Sequence, residues 1–423
     1  MFDNDISKFL DLAKNLIGEK DFNYRINKCK EYYIDFYNNQ RYKYNIRNAT
    51  ACFYTYDVMA WYLYQMSLYT NEPQNSDLNL CSRIIPQFKT IGMNIHKLDE
   101  IKNCKVKLKQ ILRSKDNSVD NKISEIIIAI KYVNTGFSNV ELIEESDEKT
   151  PDLLVCKNNR KLYVESKRRI KNYNYYLLER KHWSRLSSPV FDFLRSKFSN
   201  KYFRIIFHKE LMEYSDDFLL NIISSIYDSN SVGLVIENNE ISVSMHNSNI
   251  QETKNYLEKN YLRADTTQFF NMMFNYDFEL DKGITYGAYA KYDKNPFYLS
   301  ELDYGYALIW KCDSKEAIKN HSKSLKKRLS EAVEQINLNE IGSIHFTVES
   351  YEGNIVDFET FNKLNFDIKS FDFKNRNIQY IYLHFLKFRI PPNDNWLVDQ
   401  DCIFWGNINA DENLLIENPH LLG

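Results

Sequence analysis

Two carboxylates and a lysine stand close together in residues 150–169, TPDLLVCKNNRKLYVESKRR. Asp152 belongs to the only Pro-Asp step in the chain, Pro151-Asp152, and Glu165-Ser166-Lys167 closes the second of two short apolar runs. Residues two apart on a strand share a face, so Tyr163, Glu165 and Lys167 project one way and Leu162, Val164 and Ser166 the other. A hairpin turn through 157–160 can bring Asp152 beside Glu165. Hard carboxylate oxygens so arranged suit Mg2+ or Mn2+, which keep several waters for a substrate. Such an ion acidifies a bound water and neutralises charge on a phosphate, while Lys167 would orient the water or stabilise the transition state. That is the chemistry of phosphodiester hydrolysis.

A helix and three short strands must position these groups. Ile126, Ile127, Ile130 and Val133 recur at helical spacing, which predicts a helix over 122–133 closed by Gly136 in a left-handed cap. Strand-like runs follow at 140–144, 153–156 and 162–166 with hairpin-length links, so the local order is α-β-β-β. Glu125, in the first turn of the predicted helix, is a further candidate carboxylate if that turn faces the sheet. Otherwise it complements the helix macrodipole, and the sequence leaves the two open. Glu100-Ile101-Lys102, Glu179-Arg180-Lys181 and Asp147-Glu148-Lys149 are decoy runs in helical, polar or turn contexts.

The ordered conjunction of helix, three strands, Pro-Asp and strand-end Glu-x-Lys over 123–167 resembles the core of the PD-(D/E)XK nuclease superfamily, which includes restriction endonucleases and DNA-repair nucleases. The resemblance implies a mixed α/β (α+β) fold with a restriction-endonuclease-like αβββαβ core. It implies a catalytic set of Asp152, Glu165 and Lys167, with Mg2+ or Mn2+ held by Asp152, Glu165, the Ser166 backbone carbonyl and Glu125. Substrate does not follow from so diverse a fold. The core should finish with a helix and a fourth strand, for which two segments compete. One is 189–198 followed by 203–207. The other, 322–336 followed by 344–349, has the better helical periodicity, and its Ala332-Val333-Glu334-Gln335 resembles the corresponding helix in some members. Choosing it makes about 170–320 a large insertion. The expected organisation is then a helical N-terminal domain over 1–115, a nuclease core over 116–350 and a C-terminal α/β extension over 351–423.

Elsewhere, residues 1–113 are mostly helical, with a long aromatic amphipathic stretch at 54–68. Strands are expected at 203–207, 232–236, 241–245, 286–292, 306–311 and 379–387, and a helix near 218–226.

The formal net charge of −2 over 423 residues means that nucleic-acid contact has to come from local patches. Residues 160–185 form one, with nine basic residues against two acidic ones, a local charge of about +7. Arg168, Arg169, Lys171, Arg180 and Lys181 are the residues expected to meet phosphates. Tyr173, Tyr175, Tyr176 and Trp183 are interleaved, as where bases stack. Seven scattered cysteines without a CxxC pair disfavour structural zinc and a disulfide scaffold. Eight dispersed histidines without HxH or HExxH disfavour a zinc hydrolase, and no P-loop or GxSxG elbow is present. The N-terminus lacks the basic and apolar regions of a signal peptide, and no apolar run approaches the ~18–20 residues of a spanning helix. A cytoplasmic protein with no membrane partner is expected.

Together these features predict a metal-dependent nuclease, foremost a DNA endonuclease of a prokaryotic restriction or anti-phage defence system, with DNA favoured over RNA as partner. Its assembly is open between a homodimer and a subunit of a multi-protein defence complex. Three other readings stand beside it: a nucleic-acid-binding or regulatory protein on the same fold with little catalysis, an RNA-cleaving nuclease, and an interaction protein acting through its N-terminal helices.

Overall fold

Apolar side chains at helical spacing build the first quarter of the chain. The computed structural model describes residues 3–40, 54–116, 118–144, 150–169, 174–229, 232–277, 283–293, 297–350, 358–390 and 397–422. In α1 (Asn4–Ile17), Ile6, Phe9, Ala13 and Ile17 form one buried stripe, and the Asp3 carboxylate accepts the amides of Asp5 and Ile6 as a cap. α2 (Glu19–Gln40), α3 (Val58–Asn71), α4 (Leu78–Met93) and α5 (Cys104–Arg113) follow, with Asp57 and Asp77 capping α3 and α4. Every residue of α3 from Val58 to Met66 is buried, so the expected amphipathic stretch is instead a helix wrapped on all sides. Where α1 meets α4, a Cβ on Gly92 would lie 2.0 Å from the Asp5 carbonyl oxygen. Gly92→Ala should therefore destabilise the protein by about 1–3 kcal/mol, seen as a lower urea midpoint at unchanged slope.

α6 (Val119–Asn134) begins three residues before the expected start at 122. It ends at Gly136, whose φ is +81°, and the Phe137 amide donates back to the Tyr132 carbonyl at 3.1 Å. β1 (Ser138–Leu142), β2 (Leu153–Lys157) and β3 (Arg160–Arg169) then pair antiparallel in order. Asn158 and Asn159, both at positive φ, make the two-residue turn between β2 and β3.

The next stretch forms a sheet of its own. α7 (Asn174–Ser196) leads into β4 (Lys201–Phe207), α8 (Phe218–Tyr227), β5 (Gly233–Glu237) and β6 (Ile241–Asn247). α9 (Ile250–Leu257), β7 (Leu262–Arg263), α10 (Thr267–Phe274), β8 (Gly283–Tyr292) and β9 (Tyr298–Cys312) complete it, in the strand order β5-β6-β4-β9-β7 with β8 also on β9.

α11 (Lys315–Gln335) then returns the chain to the first sheet. β10 (Ile341–Ser350) lies parallel to β3, with Ile344 in register with Glu165 and Phe346 with Lys167. α12 (Phe358–Lys369), β11 (Asn377–Arg389) and β12 (Leu397–Gly406) extend it to the order β1-β2-β3-β10-β11-β12. Of the two segments competing for the place beside β3, the later one takes it, and 201–207 sits in the other sheet. The first sheet is covered on both faces. α6 and the N-terminal helices share one core with Leu153, Val155, Leu162 and Val164, while α11 packs Leu325, Leu329 and Val333 on Ile344, Phe346 and Val348. The fold is mixed α+β on two mixed sheets. Among the described residues, no helix is long and apolar enough to cross a membrane.

Candidate active site

The β2–β3 hairpin sets the first pair of groups. Its register pairs Leu153 with Val164, so one further step places Asp152 opposite Glu165. Alternation turns both away from Leu162 and Val164, toward the face that α11 covers. Asp152 Oδ2 accepts the Ser166 amide at 2.7 Å, which orients its carboxylate across the hairpin end. Glu165 is fully buried, and its carboxylate is met from the same strand by Lys167. Lys167 Nζ makes an ion-pair contact with Glu165 Oε1 at 2.5 Å and donates to Gln335 Oε1 in the last turn of α11. Gln335 Nε2 in turn reaches the Thr150 carbonyl at 3.5 Å. The helix from the far side of the insertion thus steadies the lysine and the loop before Asp152 together.

Two dry carboxylates oppose each other's ionisation. Burial, and then the charge of Glu165, raises Asp152 to about 7. Burial raises Glu165 to about 7 as well, against the pull of Lys167 and with added repulsion from Glu125.

Glu125 lies close enough to act on Glu165, but its Oε2 is given to Lys107 of α5 in a buried ion pair. Because α6 starts at Val119, Glu125 stands in the second turn, beyond the free amides of the helix N-terminus, and the macrodipole reading falls away. Lys107 was not visible as a site residue in the sequence. The signal was there in spacing alone: it lies three residues after Cys104 and four before Ile111, on the buried side of α5.

The donor set fits a divalent cation. A fully buried carboxylate that faces a second one, with Lys167 beside it, still leaves net negative charge that a divalent cation would meet. Among the described residues no group of three or more His, Cys, Asp and Glu side chains stands at metal-binding spacing, so an ion here would have the Asp152–Glu165 pair as its side-chain ligands.

The expected phosphate-binding residues are a different matter. Arg168 and Arg169 are 2% and 7% exposed and lie inside the fold, which corrects their assignment to a nucleic-acid surface. Arg168 Nε donates to Glu349 Oε1, and its Nη1 donates to Gln87 Oε1 at 2.8 Å and the Asp120 carbonyl at 2.9 Å. Arg83 joins the same knot, through Glu349 Oε2 at 2.8 Å, the Tyr62 hydroxyl at 2.6 Å and Asp120 Oδ2 at 2.5 Å. Arg169 Nη1 donates to the His321 carbonyl at 3.0 Å. Trp183 is also interior: it stacks on Trp310 with centroids 4.8 Å apart and donates to Thr285 Oγ1. Tyr175 donates to Glu210 at 2.6 Å. Arg180 is half-buried with its guanidinium over Tyr176, and Lys181 is exposed. Lys171 and Tyr173 lie outside the described residues.

Compared with protein-family models, curated proteins and solved structures, the chain matches none.

Proposed function

We propose that the protein is a metal-dependent nuclease hydrolysing phosphodiester bonds, built on a restriction-endonuclease-like core of α6, β1, β2, β3, α11 and β10. The observation that carries this reading is Glu165, fully buried opposite Asp152 and paired with Lys167. The element order supports the same core, since α11 and β10 return beside β3 after the second sheet. Asp152, Glu165 and the Ser166 carbonyl would hold Mg2+ or Mn2+, which when bound neutralises phosphate charge and acidifies water.

The chain's own groups do the positioning. The Ser166 amide aims the Asp152 carboxylate, and the dry surroundings of Glu165 strengthen every charge interaction there. Lys167 Nζ, steadied by Gln335 and still 22% exposed, is placed to donate to a phosphoryl oxygen as charge develops on it. DNA as substrate, and a prokaryotic restriction or defence setting in the cytoplasm, rest on the family resemblance.

The test is incubation with supercoiled plasmid, circular single-stranded DNA and RNA in Mg2+ or Mn2+. Cleaved DNA, abolished by a chelator, is the expected result. Intact nucleic acid in every arm, with binding indifferent to metal, contradicts the hydrolase and favours a binding protein.

A further inference from the structure

The second sheet sets a serine, a histidine and a carboxylate in line at one end, where β6, β4 and β9 lie side by side. His208 follows the last residue of β4, and its amide donates to the Glu240 carbonyl at 2.9 Å. Asp313 follows the last residue of β9, and its amide donates to the Phe207 carbonyl at 3.0 Å. Ser242 stands in β6 opposite Ile206, two residues before His208. Residues two apart share a side, so the ladder puts all three side chains on one face. Ile241 and Val243 pack with Ile205 and Phe207 in the core on the other face. Ser242 and Ile206 are left half-buried.

His208 joins the other two. Its Nδ1 lies 2.8 Å from Asp313 Oδ1 and its Nε2 2.8 Å from Ser242 Oγ. An ionised carboxylate can only accept, so Nδ1 carries the proton. Nε2 of the neutral ring is then bare, and the Ser242 hydroxyl donates to it. Nucleophile, base and orienting carboxylate therefore stand within hydrogen-bond reach in the order that acyl transfer needs. Such a triad is recognised by geometry, so the chain order His208, Ser242, Asp313 and a mid-strand serine do not count against it. The side chains of His208 and Asp313 are 27% and 51% exposed, which leaves the base open to a reactant. Lys311, in register with Ile206 on the same face, supplies a cation for a developing oxyanion.

We propose that Ser242, His208 and Asp313 form an acyl-transfer site for carboxylic esters, apart from the carboxylate pair of the first sheet. Ser242 Oγ bonds to the acyl carbon as its proton passes to His208 Nε2. That proton goes to the departing alkoxide as the ester C–O bond breaks. Water then gives a proton to the same nitrogen and attacks the acyl carbon, freeing the carboxylic acid, and the proton returns to Ser242. Asp313 holds the ring in the tautomer this requires. Ile206 beside Ser242 suits a short acyl group.

The test treats the whole chain with a tagged fluorophosphonate, which phosphonylates activated serines, and with p-nitrophenyl acetate. The expected result is an adduct placed on Ser242 by peptide mass spectrometry, and ester hydrolysis that begins with a burst. Ser242→Ala should abolish both. His208→Gln should slow both by about 100-fold or more. Asp313→Asn should slow both at an unchanged urea midpoint, which a merely structural contact would not do. No adduct, an adduct on another residue, or labelling that His208→Gln leaves alone would overturn the inference.

Discussion

Asp152→Asn and Glu165→Gln are each expected to stabilise the protein at pH 8, by on the order of 2 kcal/mol. Both carboxyls are raised to about 7 in the fold, from ordinary values of 3.8 and 4.5. The folded chain therefore keeps protons that the unfolded chain has already released. Stability from this source is full below about pH 4 and is lost as pH rises through 7. An amide has no charge to desolvate, so the advantage of the variants grows between about pH 4 and pH 7, is full above pH 7 and vanishes near pH 4. The imperfect hydrogen bonding of a buried amide offsets part of the gain. Millimolar Mn2+ should recover the unaltered protein at pH 8 and leave Glu165→Gln unmoved, because an ion that binds only the native state shifts the melt. Urea melts at pH 4 and pH 8 measure all of this. Variants no more stable than the parent at pH 8 would contradict a pair of carboxyls raised by burial.

Glu349→Ala is expected to cost about 3–5 kcal/mol, and Arg168→Ala about as much, because breaking a buried ion pair strands the other charge. Glu349 stands between two guanidiniums, Arg83 and Arg168, with its side chain fully buried. Removing it leaves Asp120 to face both. The knot ties α3 and α4 to β3 and β10, one residue from Lys167, and the Arg168 carbonyl also accepts from Arg328 of α11 at 2.8 Å. Loss of the knot should therefore lower catalysis along with stability. Urea midpoints of the two variants check the cost. If Arg168 were a phosphate contact, Arg168→Ala would leave the midpoint alone and reduce the salt slope of nucleic-acid binding by about one.

Strand alternation made the centre of the proposed site legible in the sequence. Leu162 and Val164 had to face the core, which sent Glu165 and Lys167 to the other side, and the turn at Asn158–Asn159 brought Asp152 opposite. The return of α11 and β10 to β3 was legible because a long clean helical period distinguished 322–336 from the shorter run at 189–198. The basic segment misled for a related reason. Formal charge cannot tell a solvated arginine from one neutralised inside the fold, and the partners of Arg168 lie far away in sequence, at Gln87, Asp120 and Glu349. Lys107 was hidden by the same distance. So was the contact between His345 and His384, dispersed in sequence but 2.9 Å apart on neighbouring strands. The short elements α9, α10 and β7 carried too few residues for a period to show.

On the proposed function, Asp152, Glu165 and Lys167 together cut a phosphodiester. Its most direct test is the rate of plasmid cleavage in Mg2+ or Mn2+ by the unaltered protein, Asp152→Ala and Lys167→Ala, each shown to be folded. Cleavage by the unaltered protein is expected, with a loss of about 100-fold or more in both variants. Cleavage that survives both substitutions would contradict it.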